Sequence, residues 1–106
     1  MDERIRAIGQ RVRRRLEACY GSRVKLVILY GSHARGTATK ESDVDLLVVV
    51  DDALEPWEVR RSLDDLLFDI LLETSELVSV VVVPQGYYEG YASPFLRKVR
   101  REGIPL

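Results

Sequence analysis

Two short aliphatic runs flank a glycine break, and together they fix most of what this chain can become. Val24 to Tyr30 is one run and Leu46 to Val50 the other. Each is short and aliphatic, so each reads as a strand. Between them lie Tyr30-Gly31-Ser32-His33-Ala34-Arg35-Gly36 and then Ser42-Asp43-Val44-Asp45-Leu46. Gly31 breaks the first strand. The second strand reads from Asp43 to Val50 and starts with two carboxylates one residue apart. Side chains two apart on a strand share a face. Asp43 and Asp45 therefore project together, and Val44 points the other way into the packing.

Two like charges on one face repel, and no Lys or Arg lies between them to relieve it. A divalent cation does so directly. Mg²⁺ takes oxygen ligands and is commonly held by one or two carboxylates plus substrate phosphates. Upstream, Gly31-Ser32 forms a turn with little side-chain bulk, where backbone N–H groups can meet a phosphate. If Ser32 opens a helical turn, its free N–H groups add to that site. The alternative for Ser32 to Ala38 is a compact loop. Arg35 has two readings: a forked counter-charge on a phosphate, or a surface arginine paired with Glu41 or Asp43.

The Gly31-Ser32 pair, ten intervening residues and then Asp43-Val44-Asp45 resemble the nucleotidyltransferase superfamily of the DNA polymerase beta fold. Ala34, Arg35 and Gly36 match the usual continuation. The chain is most similar to the minimal stand-alone nucleotidyltransferases, often antitoxin partners of small helical HEPN ribonuclease toxins. The ending Ser93-Pro94-Phe95-Leu96 and Arg101-Glu102-Gly103-Ile104 fits as well. The resemblance implies metal-dependent transfer of a nucleoside monophosphate, AMP from ATP, to a hydroxyl on a protein partner. It implies Mg²⁺ on Asp43 and Asp45, triphosphate on Gly31, Ser32 and Arg35, and a HEPN-type partner. Active members of the superfamily usually carry a third carboxylate on the next core strand. Here that strand reads Leu77 to Val83, and Ser79 stands where the acid is expected. Glu76, at the strand's start, is the nearest acid in sequence. A binding or antitoxin-like module whose chemistry has been lost is the alternative function.

The chain has 106 residues, enough for one compact domain over residues 1 to 106. The net charge is -1, so no global attraction to nucleic acid is implied. One histidine and one cysteine argue against a Cys/His zinc cluster. Cys19 reads as a small buried side chain. The start Met1-Asp2-Glu3 lacks the pattern of a signal peptide, and no apolar run approaches a membrane span. The expectation is a cytoplasmic protein, with homo-oligomerisation open.

Residues 2 to 18 read as a helix with Asp2 as N-cap, because Ile5, Ile8, Val12 and Leu16 recur at spacings of three and four. Arg11, Arg13, Arg14 and Arg15 read first as a solvated face; gripping RNA, a partner or a triphosphate is the alternative. Asp51 and Asp52 read as loop and cap residues. Trp57 to Thr74, opened by Pro56, reads as one helix with Leu66 and Phe68 broadening its apolar face and Asp64, Asp65 and Asp69 on the wet side. Tyr87, Tyr88 and Tyr91 read as a loop that covers the sheet edge or stacks on a base. Pro94 opens a last helix with Phe95, Leu96 and Val99 inward, stopped by Gly103. The sum is an α/β or α+β domain with a small mixed sheet and flanking helices.

Overall fold

A computed structural model describes residues 1–106. Helix α1 spans Glu3–Tyr20, with the Asp2 carboxylate accepting from the Arg4 N–H as its N-cap. A short 3₁₀ turn, Gly21–Arg23, leads into β1, Val24–Tyr30. Helix α2 is a single turn, Ser32–Arg35, and β2 runs Val44–Val50. Helices α3, Pro56–Arg61, and α4, Asp64–Thr74, precede β3, Val78–Pro84. Helices α5, Gln85–Gly90, and α6, Pro94–Glu102, come next, and a two-residue strand β4, Ile104–Pro105, closes the chain.

The sheet order is β3-β2-β1-β4. Strand β1 runs antiparallel to β2 and β4, whereas β2 and β3 are parallel. Parallel neighbours need a crossover, and α3 and α4 supply it. The result is the small mixed sheet with flanking helices that the sequence predicts. No helix is long and apolar enough to cross a membrane.

The period-two alternation of the strands divides the core. On one face Val27, Leu29, Val44, Leu46, Val48 and Val50 meet the α1 stripe of Ile5, Ile8, Val12 and Leu16 and the α4 residues Leu66, Leu67 and Ile70. On the other, Ile28, Leu47, Val49 and Val83 meet Leu96 and Val99 of α6. This second face is less completely covered. It is the face on which Asp45, two residues before Leu47, and Ser79, four before Val83, must emerge.

Several elements differ from the sequence reading. The helix expected over Trp57 to Thr74 breaks at Ser62-Leu63. The Ser62 hydroxyl donates to the Val59 carbonyl at 2.6 Å, an alternative to helical continuation. Asp64 and Asp65 then start α4, where its N-terminal dipole favours acids. With the register reset, Phe68 lies opposite Leu66, Leu67 and Ile70 and is 59% exposed, and Trp57 is 57% exposed. Most of the tyrosine loop is the helix α5, whose Tyr87 stacks on Tyr91 just past its end, with centroids 4.9 Å apart. Asp52 fixes its start by accepting from the Gly86 N–H at 2.9 Å. Asp51 accepts from the Ala53 N–H at 2.8 Å, so both acids act as loop and cap groups. Cys19 is exposed, while Tyr20 beside it packs against the core. Phe95 is only partly covered and meets Tyr30 edge to face, with centroids 5.4 Å apart.

The basic run on α1 has partners. Arg11 pairs with Glu73 at 2.6 Å and Arg15 with Asp65 at 2.9 Å, tying α1 to α4. Arg13 bonds the Leu106 carbonyl and lies 3.5 Å from Glu17. These contacts account for Arg11, Arg13 and Arg15 without RNA. Exposed pairs of this kind contribute little to stability, because solvent screens them.

Candidate active site

The site is built where β1 ends, β2 begins and α6 crosses them. Gly31 leaves β1 with φ 78° and ψ -158°, a region essentially restricted to glycine. That turn starts α2 at Ser32, and Gly36 ends it in the left-handed region at φ 79°. Asp43 lies just before β2, one residue short of the strand expected from the sequence. Asp45 is inside the strand, paired across to Tyr30. Its carboxylate lies directly against Gly31: a Cβ there would stand 2.2 Å from Asp45 Oδ2. The Gly31-Ser32 turn and the Asp43-x-Asp45 strand are therefore one structural unit.

Arg35 takes neither of its expected surface partners. Its guanidinium lies 3.2 Å from Glu102 Oε1 and 3.2 Å from Glu102 Oε2. Glu102 Oε1 also accepts from the Gly31 N–H at 3.1 Å. One carboxylate from the end of α6 thus holds both the turn and its arginine. Its side chain is 11% exposed. Burial raises the Glu102 pKa, but the Arg35 and Gly31 hydrogen bonds outweigh it and hold the group below the usual glutamate range. Glu102 lies 71 residues from Gly31, and local spacing gave no sign of this role. The ending Arg101-Glu102-Gly103-Ile104 within the family resemblance was the one signal available.

Asp45 behaves in the opposite way. Burial, and then repulsion from Asp43, raise its pKa, against the opposing charges of His33, Lys98 and Arg35. The same burial, with Asp45 behind it, raises the Tyr30 hydroxyl. His33 Nε2 is buried without a hydrogen-bond partner. Ser79 is the register partner of Asp45 across the parallel β2–β3 pair. Glu76 does not supply the acid expected there, because its carboxylate is engaged by Arg4 at 3.3 Å.

A stability prediction follows from Asp45. Its folded pKa lies above its unfolded one, so folding favours its protonated form. The stability penalty of this group is present above the folded pKa and disappears as pH falls through it. Asp45→Asn should raise Tm at pH 7, and the gain should shrink on acidification. Calorimetry of both proteins across pH checks this; an Asp45→Asn protein less stable than wild type at pH 7 contradicts it. Glu102 has the reverse sign. Its contribution is present above its unfolded pKa and is lost as pH falls through its folded one.

No group of three or more His, Cys, Asp or Glu side chains is gathered to hold a metal unaided. Two carboxylates, one of them resisting ionisation through burial and then through the other's charge, are a donor set that Mg²⁺ would complete with phosphate oxygens and water. The residues present fit that ion together with a nucleotide, and do not fit a closed structural metal site. A groove of about 900 Å³ lies beside the site, lined by Arg4, His33, Arg35, Lys40 and Glu76 among others. Neither carboxylate of the pair lines it.

Comparison with known proteins agrees with this geometry. Residues 8–101 match the family described as nucleotidyltransferase domain. A Methanocaldococcus jannaschii protein, provisionally named a protein adenylyltransferase, is 33% identical over 92 residues, 86% of this chain and 86% of that protein. A Sulfolobus solfataricus crystal structure, provisionally named a nucleotidyltransferase, superposes with TM-score 0.58 at 18% identity, covering 96% of this chain and 78% of that one. A chain of a toxin–antitoxin structure with AMP-PNP superposes with TM-score 0.58 at 19% identity, over 91% of this chain and 70% of that one. A chain from the complex of tri-AMPylated Shewanella oneidensis HEPN toxin with MNT antitoxin gives TM-score 0.57 at 15% identity, over 95% and 70%. At these identities the structural matches establish the fold.

Proposed function

Because the chain belongs to the nucleotidyltransferase domain family, we propose that it transfers AMP from ATP to a hydroxyl on a protein partner. The observation that carries this reading is the contact of Gly31 with Asp45, which joins the phosphate turn to the carboxylate pair. Asp43 and Asp45 hold Mg²⁺. When bound, the ion neutralises charge on the attacking and leaving oxygens of an in-line displacement. The Ser32 amide and hydroxyl, in the first turn of α2, hold terminal phosphate oxygens, with Arg35 as the nearby cation. The acceptor hydroxyl oxygen bonds to the α-phosphorus, the bond to the β-phosphate bridging oxygen breaks, and pyrophosphate leaves. The hydroxyl proton goes to solvent or to a carboxylate of the pair, since Ser79 is no base.

The partner is a small helical HEPN-type protein. Support comes from the toxin–antitoxin structures that share this fold. A second reading is favoured by one observation, the serine beside Asp45: an antitoxin-like module that binds nucleotide and partner without turnover.

The test is label transfer from α-labelled ATP with Mg²⁺ onto a co-purified partner. Wild type should label the partner, and the Asp43→Ala/Asp45→Ala double variant should fall by at least on the order of a hundredfold, given the several kcal/mol that metal assistance supplies. Nucleotide and partner binding with no label from wild type would establish the binding module instead.

A further inference from the structure

Helix α6 carries a third group toward the site. Phe95 packs on Tyr30, the strand neighbour of Asp45. Glu102 bonds Gly31 and Arg35. Residues three and four apart share a helix face, so Phe95, Lys98 and Glu102 form one stripe with both ends fastened to the Gly31–Asp45 unit. Lys98 lies between those anchors. Leu96 and Val99 fill the core beside the stripe, and Arg100 is turned to the far flank, where it bonds the Tyr88 and Tyr91 carbonyls and lies over the Tyr88 ring.

Lys98 is exposed and makes no ion pair within 4.0 Å, unlike Arg4, Arg11, Arg15, Arg35 and Arg60. It stands one helical turn before Glu102 on the same face of α6. The Arg35 guanidinium is already engaged by the two oxygens of Glu102. A triphosphate arriving at the turn finds Arg35 engaged and Lys98 free.

We propose that Lys98 is a triphosphate-binding residue, gripping the β- and γ-phosphate oxygens of the nucleotide from the α6 side of the site. This rests on the nucleotide-binding reading above and adds a residue to it. A lysine suits the task, because its ammonium is a mobile point charge on a long stem. It binds the part of the nucleotide that leaves as pyrophosphate, so its contribution depends on the β- and γ-phosphates and not on the nucleoside.

The experiment is calorimetric titration of the full chain with Mg²⁺ plus AMP-PNP, and separately with AMP. Wild type is compared with Lys98→Ala, Lys98→Arg and Arg97→Ala. Arg97 points away from both the core and the stripe and serves as the charge-matched control. Lys98→Ala should weaken AMP-PNP binding on the order of tenfold, leave AMP binding unchanged and keep the wild-type Tm. Lys98→Arg should retain most of the affinity, and Arg97→Ala should stay within about twofold. Wild-type affinity for AMP-PNP in Lys98→Ala, or an equal loss for AMP, overturns the assignment while the nucleotide-binding reading stands. Failure of wild type itself to bind AMP-PNP overturns both.

Discussion

Gly31→Ala should lower the stability of the fold and remove divalent-ion binding in the same step. The backbone at Gly31 occupies φ 78°, ψ -158°, where a side chain costs about 1–3 kcal/mol. For a chain of this size that is a Tm loss of roughly 5–15 °C. The added methyl would also stand 2.2 Å from Asp45 Oδ2 and 3.1 Å from its carboxyl carbon. No rotation of the methyl relieves this, so either the turn or the Asp45 carboxylate moves. If the turn moves, the Gly31 N–H leaves Glu102 Oε1. If Asp45 moves, the carboxylate pair loses its geometry. Gly36→Ala is the internal control. Gly36 has nearly the same φ, 79°, but a Cβ there meets nothing within 4 Å. It should destabilise by about 1 kcal/mol and keep Mn²⁺ affinity, read by titration with the metal in the presence of AMP-PNP. Equal loss of Mn²⁺ in both variants would show that the close approach to Asp45 is not what the glycine protects.

Ser79→Asp should have the largest effect in the other direction. Ser79 is the register partner of Asp45 on the adjacent parallel strand, so an aspartate there places its carboxylate on the same face. A positioned general base typically contributes on the order of 10²–10⁴-fold, and transfer to the partner should rise toward that range. Without metal the new charge adds to the repulsion that already disfavours Asp45 ionisation. The metal-free protein should melt lower than wild type, and Mn²⁺ should restore more stability than it gives wild type, since a ligand that binds only the folded state stabilises by mass action. Ser79→Asn has the same size without the charge and should do neither. An unchanged transfer rate in a folded, Mn²⁺-responsive Ser79→Asp protein would show that proton removal does not limit the reaction.

What the sequence made legible follows from how local each signal is. The α1 stripe Ile5, Ile8, Val12 and Leu16 is buried as expected, because a helical face is read from spacing alone. The two flanking strands are read from short aliphatic runs, whereas the register that sets Ser79 beside Asp45 comes from the sheet itself. The missed features depend on residues far apart in the chain. Helix α5 contains Gly86 and Gly90, poor helix formers, and Asp52 on another element fixes its first turn. The break at Ser62 arises from one hydroxyl choosing the Val59 carbonyl. Strand β4 exists because β1 offers an open edge to Ile104 and Pro105. Glu102 is the sharpest case: an acid at a helix end has many ordinary uses, and nothing near it in sequence points to Gly31.

That distant clasp also sets the order in which the molecule becomes competent. The carboxylate pair and its turn belong to one antiparallel hairpin, which closes over a short stretch of chain. Glu102 arrives only after a loop spanning 71 positions has closed, and long closures are entropically later than short ones. During refolding the β1–β2 hairpin should therefore form first, with a turn whose arginine and amide are still unclasped. The chain passes through a stage in which its reactive residues are assembled but not yet locked, and its final helix acts as the closing step of maturation.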